Sequence, residues 1–146
     1  MPTAPEMTAL VHKMYRHWND GEMEAFYDML DEHVKDHNAG EGETGRAGVR
    51  AARDTIRGAF PDHRYTVERV VADAAQNMVA VHLTCTGTQK GDFFGVAPSG
   101  KPATWKEIRI AVWSEAGRCT DHWAVGDTMG MLLQLGHLTW PGRASW

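Results

Sequence analysis

The residues best able to do chemistry gather toward the C-terminal third. Asp121, His122, Ala124 and Asp127 follow one another in a stretch that reads as a strand, so His122 and Ala124 share one face and Asp121 and Trp123 the other. Asp127 stands past Gly126, where a strand can bend. A carboxylate in an aromatic, water-poor pocket has its pKa raised by desolvation; it can then take a proton from an acidic carbon and return it to an oxygen. The same position precedes an apolar segment, where Asp is a favoured helix N-cap, and the residues alone leave both roles open. Upstream, Trp105, Glu107, Arg109 and Ala111 share a face opposite Lys106, Ile108, Ile110 and Val112. If the polar set faces a pocket, Arg109 can hold an enolate or carboxylate oxygen by charge-assisted hydrogen bonds, with Glu107 as its ion-pair partner or as a base. If the faces are reversed, Glu107 and Arg109 are a surface pair of little energy.

His37 and Asn38 follow the second helical segment; His37 is either a base at a pocket mouth or a solvated loop histidine. His82 alternates with Val81 and Leu83, which turns it away from the core, toward a subunit contact. His12, His17, His63 and His137 have no motif around them, His33 stands four residues before His37 on an otherwise unremarkable extended piece, and no metal is expected. Cys85 and Cys119 form no CxxC pair and read as reduced thiols packed in strands. There is no nucleophile elbow, phosphate-binding glycine loop or serine triad.

These groups need elements to hold them. Leu10, Val11, Met14, Tyr15 and Trp18 recur at helical spacing over 4–19, and Asn19-Asp20-Gly21 ends that helix. A second short helix is expected over 22–31, then an extended piece over 33–38 and a mobile loop over 39–45, which carries three glycines. A third helix over 46–59 has Val49, Ala52, Ile56 and Phe60 as its inner stripe, and Pro61-Asp62 stops it. Strands are expected over 65–73, 77–88, 105–113 and 118–125, with a glycine-rich turn over 87–100 and an apolar C-terminal segment over 129–135. Three helices followed by four antiparallel strands is an α+β order, with a curved sheet packed on helices and a cavity between them.

Composition agrees. With 146 residues, 42% hydrophobic and 23% charged, the chain suits one domain, 1–146, able to bury a core. A net charge of −4 without a basic cluster gives nucleic acid nothing to bind. The N-terminal MPTAPEMTALVHKMYRHW has no long apolar run, so no signal peptide and no membrane partner are expected, and a cytoplasmic location follows. Six Trp and eight Met suit an aromatic pocket or a subunit contact.

Several stretches together resemble the SnoaL-like polyketide cyclase family, within the nuclear-transport-factor-two-like superfamily. They are Trp18-Asn19-Asp20-Gly21, Asp36-His37-Asn38, Ala59-Phe60-Pro61-Asp62, Thr86-Gly87-Thr88, Gly91-Asp92-Phe93-Phe94-Gly95, Pro98-Ser99-Gly100-Lys101, Asp121-His122-Trp123 and Leu132-Leu133-Gln134-Leu135-Gly136. The resemblance implies a cone-shaped, barrel-like α+β fold, three N-terminal helices on a curved antiparallel sheet, assembled as a homodimer or homotetramer through the open sheet face. It implies a hydrophobic, polyketide-like small-molecule substrate and aldol cyclase, isomerase or lyase chemistry without metal or organic cofactor. Alternatives on the same fold are a hydrolase, dehydratase or hydroxylase component and a non-catalytic binding module. In the cyclases an aspartate two residues after the His of the last strand is the acid/base; the matching residue here is Ala124. The resemblance sets His122 toward the cavity, puts Arg109 where the family has a strand histidine, and matches Asp127 to a position that is often acidic. The expected site is therefore Asp127, His122 and Arg109 as catalytic residues, converging on a cavity with Trp18, His37, Phe60, Trp105, Glu107 and Trp123 binding substrate.

Overall fold

The computed structural model describes residues 1–38 and 45–142. The glycine-rich loop expected over 39–45 lies outside the described residues except for Gly45, which opens a helix. Helix α1 (Ala4–Asn19) begins at a reciprocal cap between Thr3 and Glu6 and buries Met7, Val11, Met14, Tyr15 and Trp18, the stripe its spacing predicts. Helix α2 (Met23–Asp28) is shorter than expected, because the chain turns at Met29 into strand β1 (Leu30–Asp36). Helix α3 (Gly45–Ala59) follows, then β2 (Arg64–Asp73), β3 (Met78–Thr88), β4 (Pro102–Trp113), β5 (Cys119–Gly126) and the short helix α4 (Thr128–Gln134).

The sheet order is β1-β5-β4-β3-β2. Strands β2 to β5 pair as antiparallel neighbours, as their alternation predicts. The correction is β1, read from sequence only as an extended piece: it adds a fifth strand, parallel to β5, with Asp36 opposite His122. The sheet is thus mixed, curved and unclosed.

The inner face of β3 (Val79, Val81, Leu83 and Cys85) is buried, and Ala103, Trp105, Arg109 and Trp113 of β4 face the same core. Asn19 clamps the end of α1 to β2: its side-chain amide donates to the Tyr65 carbonyl at 2.7 Å and its side-chain oxygen accepts from the Tyr65 N–H at 2.9 Å. Gly91 lies so close to the Gly58 carbonyl that a Cβ there would collide with it, which fixes the β3–β4 loop on the end of α3. Among the described residues no helix is long and apolar enough to cross a membrane.

Candidate active site

Register sets which side chains meet. Arg109 stands opposite Ala124 and Ala111 opposite His122, all on the inner face of the sheet. A bulge between Val112 and Trp113 leaves Thr120 as an extra residue of β5, so both Trp113–Cys119 and Ala111–His122 can face inward. The result is an enclosed cavity of about 30 Å³ whose walls include Tyr15, Arg53, Arg109, Trp113 and His122. Ligand pockets for drug-sized molecules run to about 300–1,000 Å³, so a polycyclic ligand enters only if this core opens.

His122 carries the most distinctive arrangement. Its Nδ1 is 3.5 Å from Oδ1 of Asp36, and its Nε2 is buried with no hydrogen-bond partner among the described residues. Asp36 is itself oriented: Oδ1 accepts from the Asn38 backbone N–H at 3.0 Å and from its side-chain amide at 3.1 Å. Burial works against charge on Asp36, but the contact with His122 and the Asn38 donors outweigh it and hold the carboxyl far below the usual carboxylate range. Burial, reinforced by Arg109 and Arg53, depresses His122 to about 4 against the pull of Asp36. At neutral pH the ring is therefore uncharged. With Nδ1–H turned to the carboxylate, Nε2 keeps its lone pair for the cavity.

A cationic cluster faces it. Arg53 and Arg109 both donate to the Tyr65 hydroxyl, at 3.0 and 2.9 Å, and all three side chains are buried. Glu107 lies against Arg109, 2.8 Å from Nε and 2.6 Å from Nη2, and accepts from the Trp105 indole N–H at 3.0 Å. Burial would raise Glu107, but Arg109, Trp105 and Arg53 hold it at about 2, so it is a fixed counter-charge. Its methylenes pass Gly126, where a Cβ would stand 3.0 Å from Glu107 Cγ. Burial pushes the Tyr65 phenol up while the two guanidiniums pull it down. His63 accepts from the Trp18 indole at 3.0 Å, and burial with neighbouring arginines lowers it to about 3.

Of the expected site, the fold brings together His122, Arg109 and Glu107. Asp127 is not with them. Its carboxylate is exposed and accepts from the Gly130 N–H at 2.9 Å as the N-cap of α4, whose free N–H groups need an acceptor. Trp18, Phe60 and Trp105 form a packed aromatic cluster around His63 instead of the cavity wall. His37 and Trp123 lie on the other side of the sheet: their rings stack at 4.2 Å and His37 Nε2 is 3.0 Å from Asp121. The inward face of β4 is the one expected. Asp36, Arg53, Tyr65 and Trp113 join the site without a motif that marks them in the sequence; Arg53 carries the plainest signal, four residues after Val49 on the inner stripe of α3. Among the described residues no group of three or more His, Cys, Asp or Glu is placed to hold a metal ion.

A family model described as SnoaL-like polyketide cyclase matches residues 8–135. No curated protein matches the sequence significantly. Among solved structures, AclR of Streptomyces galilaeus, a proposed hydroxylase, is 25% identical, with 94% of this chain and 100% of that chain covered and a TM-score of 0.80. IdmH of Streptomyces antibioticus, a proposed polyketide cyclase, is 26% identical over 90% of this chain and 99% of that chain, with a TM-score of 0.77. TsrD of Streptomyces laurentii, at 23% identity, covers 94% of this chain and 100% of its own with a TM-score of 0.83, a likeness of fold alone.

Proposed function

Because this chain belongs to the SnoaL-like polyketide cyclase family, we propose that it is an enzyme performing acid/base chemistry on a carbonyl-bearing, polyketide-like small molecule, with His122 as the base. One observation carries this: His122 presents a neutral, unpartnered Nε2 inside a cavity that also holds two buried guanidiniums. Nε2 takes a proton from the carbon beside the carbonyl, Asp36 orients the ring and stabilises the imidazolium that forms, and Arg53 and Arg109 stabilise the enolate oxygen. Returning the proton to carbon or to oxygen gives an isomerase or an aldol-type cyclase. No step in this scheme calls for a cofactor. Ala124 lacks the carboxylate that the cyclases carry there, and His122, two residues earlier on the same strand face, takes over the role.

A binding module without turnover is the second reading, favoured by the small size of the cavity. The two separate on deuterium wash-in at the α-carbon of a bicyclic aryl ketone such as 1-tetralone in D2O. The enzyme reading expects wash-in above the buffer rate, reduced about 10²–10⁴-fold in His122→Gln, the usual share of a general base. Binding of the ketone with no wash-in above buffer supports the binding module. The outer sheet face, where Ile108 and Val125 pair directly and are 54% and 78% exposed, supports assembly as a homodimer or homotetramer.

A further inference from the structure

Besides His122 Nε2, one other group at the cavity is orphaned. The indole N–H of Trp113 is buried, has no hydrogen-bond partner among the described residues, and belongs to a side chain only 1% exposed. Both side chains line the same cavity. One is a donor only, and the other, as a neutral ring with Nδ1–H toward Asp36, is an acceptor only. Leaving either unpaired in an apolar interior is costly, so two orphans of opposite polarity on one small cavity point to a shared partner. That partner must accept with one lone pair and donate one hydrogen through a single small atom. The cavity, about 30 Å³, fits the description, since a water needs about 10–15 Å³ of such space and two to four polar contacts. Arg53 and Arg109, on the same wall, offer further donors.

We infer that the floor of this cavity is a water site in which one water accepts from Trp113 Nε1–H and donates to His122 Nε2. The inference rests on the reading of His122 as the base and extends it: Trp113 becomes a positioning residue, and the water is the first proton partner of the catalytic nitrogen. When Nε2 takes a ligand proton, the water turns to accept from the new Nε2–H, and exchange of this water with bulk solvent carries that proton away and returns solvent label in its place.

The site is tested without any substrate, by NMR of the full-length 15N-labelled protein at pH 7. Trp113→Phe identifies the Trp113 indole resonance by its disappearance. The inference expects a cross-peak between that indole N–H and water with the sign of a dipolar contact in the rotating frame, which a long-lived bound water gives and hydrogen exchange does not. An indole signal without such a peak, or with the exchange sign only, overturns the water site. Long-range proton–nitrogen spectra of the histidine rings in the same sample separate the two failures. His122 neutral and protonated at Nδ1, with no water contact, sinks this inference alone. His122 charged, or protonated at Nε2, removes the base reading and the water site with it.

Discussion

Replacing Glu107 by Gln keeps the shape of the side chain and deletes one charge. In the native protein that carboxylate is 15% exposed, touches Arg109 at 2.6 and 2.8 Å, and accepts from Trp105. Arg109 is 6% exposed, and the other cation at the cavity, Arg53, has only the Tyr65 hydroxyl as a hydrogen-bond partner among the described residues. Without Glu107 two buried guanidiniums face each other across one phenol. Breaking a buried pair by removing one partner costs about 3–5 kcal/mol, mostly the desolvation of the charge left behind. A glutamine oxygen still accepts from one donor, so the lower end, about 3 kcal/mol, is expected. For a chain of this size that is a fall of about 6–12 °C in Tm at fixed protein concentration. Urea and thermal unfolding followed by tryptophan fluorescence measure it. The double variant Glu107→Leu/Arg109→Met, which removes both charges, should recover to within about 1 kcal/mol of the native protein. A loss below about 1 kcal/mol in Glu107→Gln would refute the reasoning, since the Arg109 charge would then be compensated by something other than Glu107.

Four further outcomes are expected. Stability should fall on acidification: His122 and His63 drop from 6.5 to about 4 and about 3 on folding, so the unfolded chain binds protons first, and stability present above pH 6.5 is lost as the pH falls through these values. At about 1.4 kcal/mol per pH unit the losses approach about 3 and 5 kcal/mol, and a urea midpoint unchanged between pH 7 and 5 would contradict it. Asp127→Ala should cost about 1 kcal/mol through loss of the α4 cap and leave ketone wash-in near normal; a 10²-fold fall in wash-in would return Asp127 to the mechanism. Asp36→Asn should leave the fold intact, lower wash-in by at least about tenfold, and shift the His122 tautomer in NMR; unchanged wash-in would free His122 from its partner. Val125→Asp should reduce the mass seen by light scattering if the outer sheet face joins copies; a monomeric native protein at micromolar concentration would dispose of the oligomer.

Much of this architecture is legible in the sequence because its signals are local. Val79, Val81, Leu83 and Cys85 alternate, Val11, Met14, Tyr15 and Trp18 keep helical spacing, and both patterns are buried as expected. The orientation of β4 also follows from alternation once one face is known to be inner. The site is less legible because it depends on pairings that no local pattern encodes. Asp36 meets His122 only through a parallel contact between strands 86 residues apart, and β1 is too short and polar (Leu-Asp-Glu-His-Val-Lys-Asp) to announce itself as part of a sheet. Arg53 has a regular place on the α3 stripe, but arginine is rarely buried, so its inward position is visible only in the structure. For Asp127 two roles fit the sequence, and in the structure its carboxylate accepts from the Gly130 N–H as the cap of α4. His37 and Trp123 belong to the outer face because residues of opposite parity from Asp36 and His122 must point away from the cavity.

Whether His122 and the two buried arginines act together on a carbonyl compound is answered by a crystal structure of the protein with a bound aryl ketone. In that complex the core is expected to open around the ligand, with the carbonyl oxygen at about 3 Å from Arg53 or Arg109 and the adjacent carbon at about 3–3.5 Å from His122 Nε2, as a near-attack geometry requires. A ketone bound only outside this cavity, or bound within it with His122 turned to the solvent and the arginines still closed on Tyr65, would rule out His122 as the base.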